Sequence, residues 1–510
     1  MITIELSKND FAYDIQSLTK AFYPSEDIHV QEGNNSISKE IHIKVNLEDD
    51  SIGISFYQNE IPILEESSTD IFKETTAFGE DNYWRRMNPD LSNAKRKHYK
   101  NQLKHLLYHV LSKTSGRNLP WGTLTGVRPT KIAMEHFMLG DPVDWIRQYM
   151  KEQYLCSQEK IDLGITIVTK EVAILEDLDY KNGYSLYIGI PFCPTTCLYC
   201  SFTSYSVGKY KNLVEQYLEA LFKEIEYAST CFPNKKLNTI YVGGGTPTTL
   251  SAEQLERLLR KIKSHFPLTY VKEFTVEAGR PDSITLEKLK VLKNEGVTRI
   301  SINPQTMNQK TLDIIGRKHT VEQVIEAFWL ARDAGHDNIN MDLIVGLPGE
   351  TLEEVDKTLK AIGQLNPDSL TIHSLVMKRA AMLNIRKDEY EDSVSVSMDE
   401  MLEHGAEFAY QEGYEPYYMY RQKNTTGNAK SANQENVGYA RPGKEGIYNI
   451  LIMEEMQTIL ALGAGASSKF VFLDEGRVER IENVKSLEDY IARIDEMILR
   501  KRSFLEKEMV

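Results

Sequence analysis

Three of the five cysteines, Cys193, Cys197 and Cys200, lie within a stretch of eight residues. Five thiols are too few and too clustered for a disulfide scaffold, so the cluster indicates metal binding. A structural zinc site usually takes four protein ligands, and Ser201 and Phe202 come next rather than another Cys or His. Thiolates also hold iron–sulfur clusters, where three ligands on four irons would leave one iron open to a small molecule. The spacing favours an iron–sulfur site, with zinc or three metal-free buried thiols as the alternatives.

A second motif is the run Gly-Gly-Gly-Thr-Pro-Thr at residues 243–248, which includes Gly244, Gly245 and Thr246. Glycine allows positive φ and lets the backbone approach a ligand closely. The run lacks the Lys of a phosphate-binding P-loop and the spacing of the dinucleotide fingerprint. Taken alone, an ordinary glycine-rich turn explains it equally well.

A third group consists of polar residues in or just after apolar runs. An acid within an apolar strand is costly unless it is paired or bound to a ligand, so these residues are candidates for either a salt bridge or a binding site. The group is Glu277, Arg299, Ser301, Gln305, Arg317 and Asp342.

The elements that would position these residues alternate between strand and helix. Six units of this kind predict a parallel sheet with helices outside, and six are too few for a closed eight-fold barrel. We therefore predict an α/β fold with a partial (β/α)6 barrel, in which chemical groups follow the strands. The predicted strands are 185–190, 238–242, 273–277, 299–302, 338–345 and 369–373, and the predicted helices are 209–229, 251–264, 284–294, 308–316, 321–334 and 351–364.

The flanking segments differ in pattern from the barrel. Residues 1–180 combine strand-like alternation with amphipathic helices and predict an N-terminal α+β domain, and 181–384 is the barrel. Residues 385–510 predict a C-terminal subdomain that would cap the substrate. In that subdomain we expect an aromatic strand at 414–420, a polar loop at 424–446 and a helix at 486–501.

The overall charge limits the possible partners. Lys and Arg number 60 and Asp and Glu 74, so the net charge of −14 argues against binding nucleic acid or an anionic membrane by bulk charge. A basic segment between Arg85 and Lys104 is best explained as a solvated helix face, with RNA binding as the minor alternative. No signal peptide or membrane span is visible in the sequence, so we expect a cytoplasmic location. We also expect the chain to be a monomer.

The cysteine loop resembles that of radical S-adenosylmethionine (SAM) enzymes, with Cys-x3-Cys-x2-Cys and an aromatic residue before the last Cys. The resemblance implies a [4Fe-4S] cluster on Cys193, Cys197 and Cys200, with SAM on the remaining iron. It also implies a flavodoxin- or ferredoxin-type electron donor, and reductive cleavage of SAM to a 5′-deoxyadenosyl radical.

Within that class the chain resembles the oxygen-independent coproporphyrinogen III dehydrogenase-like family, most of all its HemZ-type branch. The resemblance rests on YIGIPFCPTTCLYCSF, YVGGGTPTTL, TVEAGRPDS, RISINPQT, GRKHT and NMDLIVGLPGET. It implies oxidative decarboxylation of two coproporphyrinogen III propionates to vinyl groups, giving protoporphyrinogen IX in haem biosynthesis. It assigns the SAM contacts to Tyr187, Gly244, Gly245, Thr246, Glu277, Gln305, Arg317 and Asp342.

Three departures from the family pattern bear on the substrate. Phe202 stands where many relatives have a further Cys, Gly189 where they often have His, and Asn303-Pro304 where Gly-Val is usual. Haem trafficking, or radical chemistry on another tetrapyrrole or on RNA, are therefore alternative functions.

The remaining candidates are assigned by residue type. His319 and His373 are candidate haem ligands, and Cys156 and Cys231 are expected to be buried structural thiols. The candidate substrate contacts are Lys378, Arg379, Tyr414, Tyr417, Tyr418 and Arg421. For these six, an exposed charge or an ordinary half-buried strand position is the favoured interpretation, and substrate contact is the alternative.

Overall fold

The fold is taken from a computed structural model that describes residues 1–33, 40–69, 71, 91–376, 382, 398–422 and 435–508. The chain divides into two compact units. One comprises residues 1–169 with 421–434, and the other comprises residues 170–420 with 435–510.

Alternating apolar residues build the sheet of the first unit. Its five strands lie in the order β2-β1-β3-β4-β5, with β1 parallel to both β2 and β3 and the later pairs antiparallel. Apolar side chains such as Ile43 and Ile54 pack with Leu103 and Leu107 of the long helix α2. The strands are β1 Ile2–Leu6, β2 Ile28–Glu32, β3 Ile41–Leu47, β4 Ser51–Gln58 and β5 Ile61–Thr69, and the helices are α1 Ala12–Phe22, α2 Leu91–Ser115, α3 Lys131–Met138, α4 Val143–Tyr154 and α5 Gln158–Glu176.

The second unit is built on one eleven-stranded sheet, in the order β14-β15-β13-β12-β11-β10-β9-β6-β16-β17-β18. Its central six strands, from β6 to β13, are mutually parallel and follow one another in the sheet. The strands are β6 Gly183–Ile190, β7 Phe192–Cys193, β8 Tyr205–Ser206, β9 Lys236–Gly244, β10 Glu273–Glu277, β11 Arg299–Ser301, β12 Ile339–Val345, β13 Ser369–Ser374, β14 Glu415–Arg421, β15 Glu435–Ala440, β16 Thr458–Leu462, β17 Ser467–Phe472 and β18 Arg477–Glu482. β7 and β8 form a small separate pair.

Amphipathic helices connect these strands. Ser251, Thr320 and Thr351 each form a capping box at the start of a helix, which fixes where the chain leaves the strand end and turns back. The helices are α6 Val207–Tyr210, α7 Val214–Ala228, α8 Ala252–His265, α9 Leu286–Asn294, α10 Gln309–Ile314, α11 Val321–Asp333, α12 Leu352–Leu365, α13 Met398–Gln411, α14 Ile447–Glu454, α15 Leu487–Ala492 and α16 Ile494–Glu508.

The predicted α/β class is confirmed: six parallel strands with intervening helices form the partial barrel, and an α+β unit precedes it. The predicted helix at 209–229 is divided into α6 and α7, and the one at 486–501 into α15 and α16. Among the described residues, no helix is long and apolar enough to span a bilayer.

The predicted polar loop at 424–446 is wrong over β15. These residues form a buried strand antiparallel to β13. The sequence looks polar there because it contains Glu435 and Asn436, yet both are buried, and Asn436 is hydrogen-bonded to His373 across the strand pair. Tertiary pairing overrides local polarity at this position. Residues 424–434 lie outside the described chain.

Candidate functional site

The cysteine loop begins where β6 ends and is fixed at both sides. The amide of Tyr205 donates to the carbonyl of Pro191 at 2.7 Å, which returns the chain to the start of the loop. The amide of Leu198 donates to Ile315 O at 3.0 Å, and Thr195 Oγ1 donates to Gly316 O at 3.1 Å. The segment after α10 therefore holds the middle of the loop.

Each of two thiols has its own donor. Thr246 Oγ1 donates to Cys193 Sγ at 3.5 Å, and burial raises the pKa of the Cys193 thiol to about 11. Cys197 Sγ lies 3.7 Å from Nη1 of Arg280 and 3.9 Å from Nη1 of Arg317. Two buried guanidinium groups therefore lie within hydrogen-bond distance of this sulfur.

The cysteine loop offers three thiols, the ligand type that holds iron–sulfur clusters. Within the described part of the chain, no three His, Cys, Asp or Glu side chains are arranged to hold one metal ion. The thiolates of a four-iron cluster bind different irons, so they need not converge on one point. Cys193, Cys197 and Cys200 could hold such a cluster.

The glycine run lies beside this loop because β6 and β9 are paired. Gly189 is opposite Gly243, and Ile190 is opposite Gly244. A Cβ on Gly245 would lie 2.6 Å from the carbonyl oxygen of Phe192, so only glycine fits there. Gly244 has φ of 105°, in the region that favours glycine. The run therefore packs backbone against backbone at the entry to the cysteine loop.

Tyrosines and one acid line the neighbouring strands. Tyr187 is paired with Tyr241 across β6 and β9, and the ring of Tyr448 stacks on Tyr241 at 4.5 Å. Tyr241 donates its hydroxyl to Glu277 Oε1 at 2.6 Å. Burial raises the pKa of Glu277 to about 7, although the bond from Tyr241 lowers it in part. Glu277 could accept a hydrogen bond from an ammonium or a hydroxyl group.

Asp342 is a second acid on the barrel strands, on β12. Its Oδ1 accepts a hydrogen bond from Asn340 Nδ2 at 2.8 Å and lies 3.9 Å from Nε2 of His373. Burial acts to raise the pKa of Asp342, but His373, Asn340 and Thr371 outweigh it, so the pKa is lowered. Asp342 is therefore held as a carboxylate, whereas Glu277 titrates near neutrality.

Gln305 has a backbone conformation that non-glycine residues seldom adopt, with φ of 70°. Its amide donates to Asp342 O at 3.0 Å, and its carbonyl accepts from the amide of Ile344 at 2.9 Å. The next residue, Thr306, donates its hydroxyl to buried Glu350 at 2.5 Å. Such local strain persists only where surrounding contacts determine it, and it is common at functional sites.

Arg317 and Arg299 occupy different places. Arg317 is buried after α10, where Nη1 donates to the hydroxyl of Tyr199 at 3.1 Å and Nη2 to the carbonyl of Gly279 at 2.9 Å. Arg299 starts β11 and donates to Ser369 Oγ at 3.1 Å, at the beginning of β13. Of the predicted polar group, Arg317 therefore lies at the cysteine loop. Arg299 instead lies at the amino-terminal ends of the parallel strands, away from the loop.

Two site residues were not predicted, Arg280 and Tyr241. Each had a signal: Arg280 directly follows a strand end, within EAGRPD, and Tyr241 precedes the glycine run by two positions, which places it on the same face of β9 as Gly243.

The other candidates are mostly structural. Tyr417 and Tyr418 are buried in β14, and the hydroxyl of Tyr414 donates to Pro367 O at 2.7 Å. Arg421 donates to Leu124 O at 2.6 Å. Lys378 and Arg379, like Arg85, lie outside the described residues.

The two isolated cysteines and the two candidate histidines differ in how deeply they are buried. Cys156 and Cys231 are buried, as predicted. His319 is also buried, and burial together with the nearby Arg317 and Arg280 lowers its pKa to about 3. His373 is partly exposed on β13, beside Asp342.

Comparison with known proteins first places the chain in a class. A model of the Radical SAM superfamily matches residues 187–362, the span that carries the cysteine loop and five of the six parallel strands. The solved coproporphyrinogen III oxidase HemN from Escherichia coli, a radical SAM enzyme, is 26% identical with a TM-score of 0.49, and the match covers 64% of this chain and 73% of that structure.

The relatives then narrow the class. The oxygen-independent coproporphyrinogen-III oxidase-like protein HemZ of Bacillus subtilis is 41% identical over 424 residues, which is 82% of this chain and 84% of HemZ. The haem chaperone HemW of Lactococcus lactis is 33% identical, over 64% of this chain and 80% of HemW. The chain therefore belongs to the oxygen-independent coproporphyrinogen-III oxidase-like family of radical SAM proteins.

Proposed function

We propose that this chain is a radical SAM enzyme that decarboxylates two propionates of coproporphyrinogen III without oxygen, giving protoporphyrinogen IX. Each of these two propionates would lose one hydrogen atom to the radical, then CO2 and one electron, which passes to an external electron acceptor, and so become a vinyl group. The observation that carries the proposal is that the cysteine loop follows β6, where Tyr187 is paired with Tyr241 of β9, which in turn donates to Glu277 of β10. The name of the HemZ relative supports the choice of substrate.

In this proposal Cys193, Cys197 and Cys200 hold a [4Fe-4S] cluster. The bound cluster and SAM supply the radical that removes hydrogen, and the protein supplies orientation and exclusion of water. Arg317 suits the SAM carboxylate, while Glu277 and Asp342 suit ammonium or hydroxyl groups. The full set of proposed SAM contacts is Tyr187, Gly244, Gly245, Thr246, Glu277, Gln305, Arg317 and Asp342.

An activity assay tests the proposal. The full chain, reconstituted anaerobically with iron and sulfide, is incubated with SAM and a low-potential reductant, with or without coproporphyrinogen III. We expect 5′-deoxyadenosine and products that have lost CO2, detected by mass. If 5′-deoxyadenosine forms while the porphyrinogen stays intact, the substrate is wrong and the radical SAM chemistry stands.

The ligand assignment has its own test. Cys197→Ala should remove the visible absorbance and the iron of the reconstituted protein, because one of three thiolates is lost. Cys231→Ala is the matched control. That thiol is about as buried as Cys197, but it lies just after α7 and donates to the carbonyl of Tyr227 in that helix. Equal iron content in both variants would contradict the assignment.

Haem trafficking is the second candidate, favoured by the match to haem chaperones named HemW. It would use the same fold without decarboxylation, with His373 as the partly exposed imidazole available to iron. Stoichiometric haem binding that His373→Ala abolishes, in a protein that leaves coproporphyrinogen III unchanged, would decide for this function.

A further inference from the structure

Arg280 lies beneath the cysteine loop, and its side chain is 4% exposed. Its Nη1 is 3.0 Å from Thr195 Oγ1 and 3.7 Å from Cys197 Sγ. The guanidinium therefore contacts both the loop that carries the three thiols and one of the thiols itself.

Asp282 fixes the orientation of this guanidinium. Nε donates to Asp282 Oδ1 at 3.0 Å and Nη2 donates to Oδ2 at 2.7 Å. A two-point pair of this kind is specific to arginine and leaves the remaining nitrogen, Nη1, directed at Thr195 and Cys197. The Asp282 carboxylate thus pairs with the buried guanidinium, which would otherwise be an unpaired buried charge. The third nitrogen of the guanidinium, Nη1, remains available to donate to the thiol.

Cys193 and Cys197 differ in the charge of the groups that donate hydrogen bonds to them. The donor to Cys193 is the neutral hydroxyl of Thr246, whereas Cys197 accepts from two buried guanidinium groups, Arg280 and Arg317. Cys197 therefore accepts from two cationic donors, and Cys193 accepts from a neutral one. Arg317 bonds to two backbone carbonyls and to Tyr199 as well, so the two arginines are held by separate contacts.

We propose that Arg280 is a positioning residue that sets the reduction potential of the cluster by donating to the thiolate of Cys197. Reduction adds one negative charge to the cluster, and a nearby buried cation stabilises that charge more in the low-dielectric interior than it would in water. Hydrogen bonds to cluster sulfurs are a known means of tuning such potentials. The inference rests on the proposed function, because it requires the cluster.

The test is an anaerobic redox titration of the reconstituted full chain without SAM or substrate, followed by electron paramagnetic resonance of the reduced cluster. Arg280→Met should lower the midpoint potential, and a tenfold loss in the reduction equilibrium corresponds to a shift of about 59 mV. Arg280→Lys, which keeps the charge but not the two-point pair, should shift it less. Arg257→Met is the control, because Arg257 pairs with Glu215 on the protein surface.

The outcomes separate this inference from the proposed function. Midpoints equal to wild type in both Arg280 variants, at full iron content, would overturn it. If Arg280→Met holds no iron, Arg280→Lys decides: a lowered midpoint supports the inference and a wild-type midpoint overturns it. A wild-type chain that never assembles a cluster would instead refute the proposed function, and the inference with it.

Discussion

The hydroxyl of Tyr241 lies 2.6 Å from Oε1 of Glu277 and donates to it from the neighbouring parallel strand. Burial raises the pKa of Glu277 to about 7, and this hydrogen bond opposes part of that rise. The hydrogen bond from Tyr241 therefore favours the ionised form of Glu277 against the effect of burial. If Glu277 accepts a hydrogen bond from the SAM ammonium group, SAM affinity should increase as the pH rises through about 7.

Tyr241→Phe should weaken SAM binding near neutral pH by about tenfold. Without the hydroxyl the pKa of Glu277 rises further, and a hydrogen bond to a charged group contributes about 1.5–3 kcal/mol. Affinity should recover in more alkaline buffer, where Glu277 ionises. Anaerobic equilibrium dialysis of SAM across a pH series measures this. Tyr448→Phe, which keeps the stacked ring beside Tyr241, is the control, and an identical pH profile in all three proteins would refute the coupling.

Glu350→Gln should flatten the dependence of stability on pH. Burial raises the pKa of Glu350 to about 7 from 4.5, so the folded chain binds this proton more tightly than the unfolded chain. The stability that this proton confers is complete below about pH 4.5 and is lost as the pH rises through about 7, amounting to at most about 3 kcal/mol. The amide carries no charge and removes this effect.

Urea denaturation in acidic and in alkaline buffer measures that difference in the free energy of unfolding. Glu353→Gln is the matched control, because Glu353 is an exposed acid in the first turn of α12, three residues after Glu350, and pairs with Lys357. Should Glu350→Gln keep the wild-type difference between the two buffers, Glu350 is not the group that titrates.

The strand–helix alternation was predictable because each parallel strand, buried on both faces, shows as a short apolar run between amphipathic helices. Cys193 and Glu277 were also predictable as site residues, because one follows a predicted strand closely and the other ends one. β15 was not, because Asn436 and Glu435 are polar residues whose partners come from other strands. Only the folded sheet shows that these two are buried.

The contacts of Arg280 could not be predicted from the sequence either. Sequence position could place Arg280 after β10 and two residues before Asp282, but its contact with Cys197 depends on how two loops pack, and no local pattern encodes that. The strained φ of Gln305 is of the same kind, because it is maintained by bonds to Asp342 and Ile344 on another strand.

The C-terminal helix α16 is anchored by a buried ion pair between Lys501 and Glu224, both fully buried, with Nζ and Oε1 2.8 Å apart. Glu224 also accepts hydrogen bonds from Asn483, from the hydroxyl of Tyr490 and from the amide of Gly463. Gly463 belongs to the turn after β16, the strand that pairs with β6 ahead of the cysteine loop. The network therefore joins α16 to the turn after β16, and β16 in turn pairs with β6, the strand that precedes the cysteine loop.

Lys501→Met should lower the free energy of unfolding by about 3–5 kcal/mol, because removal of one partner leaves Glu224 as an uncompensated buried charge. Lys507→Met, an exposed position on the same helix, should change it by less than about 0.5 kcal/mol. Adding Glu224→Gln to Lys501→Met removes the stranded charge and should restore part of the loss. Chemical denaturation of the three variants measures these differences. A Lys501→Met variant as stable as Lys507→Met would mean that the pair contributes no more than a surface ion pair does.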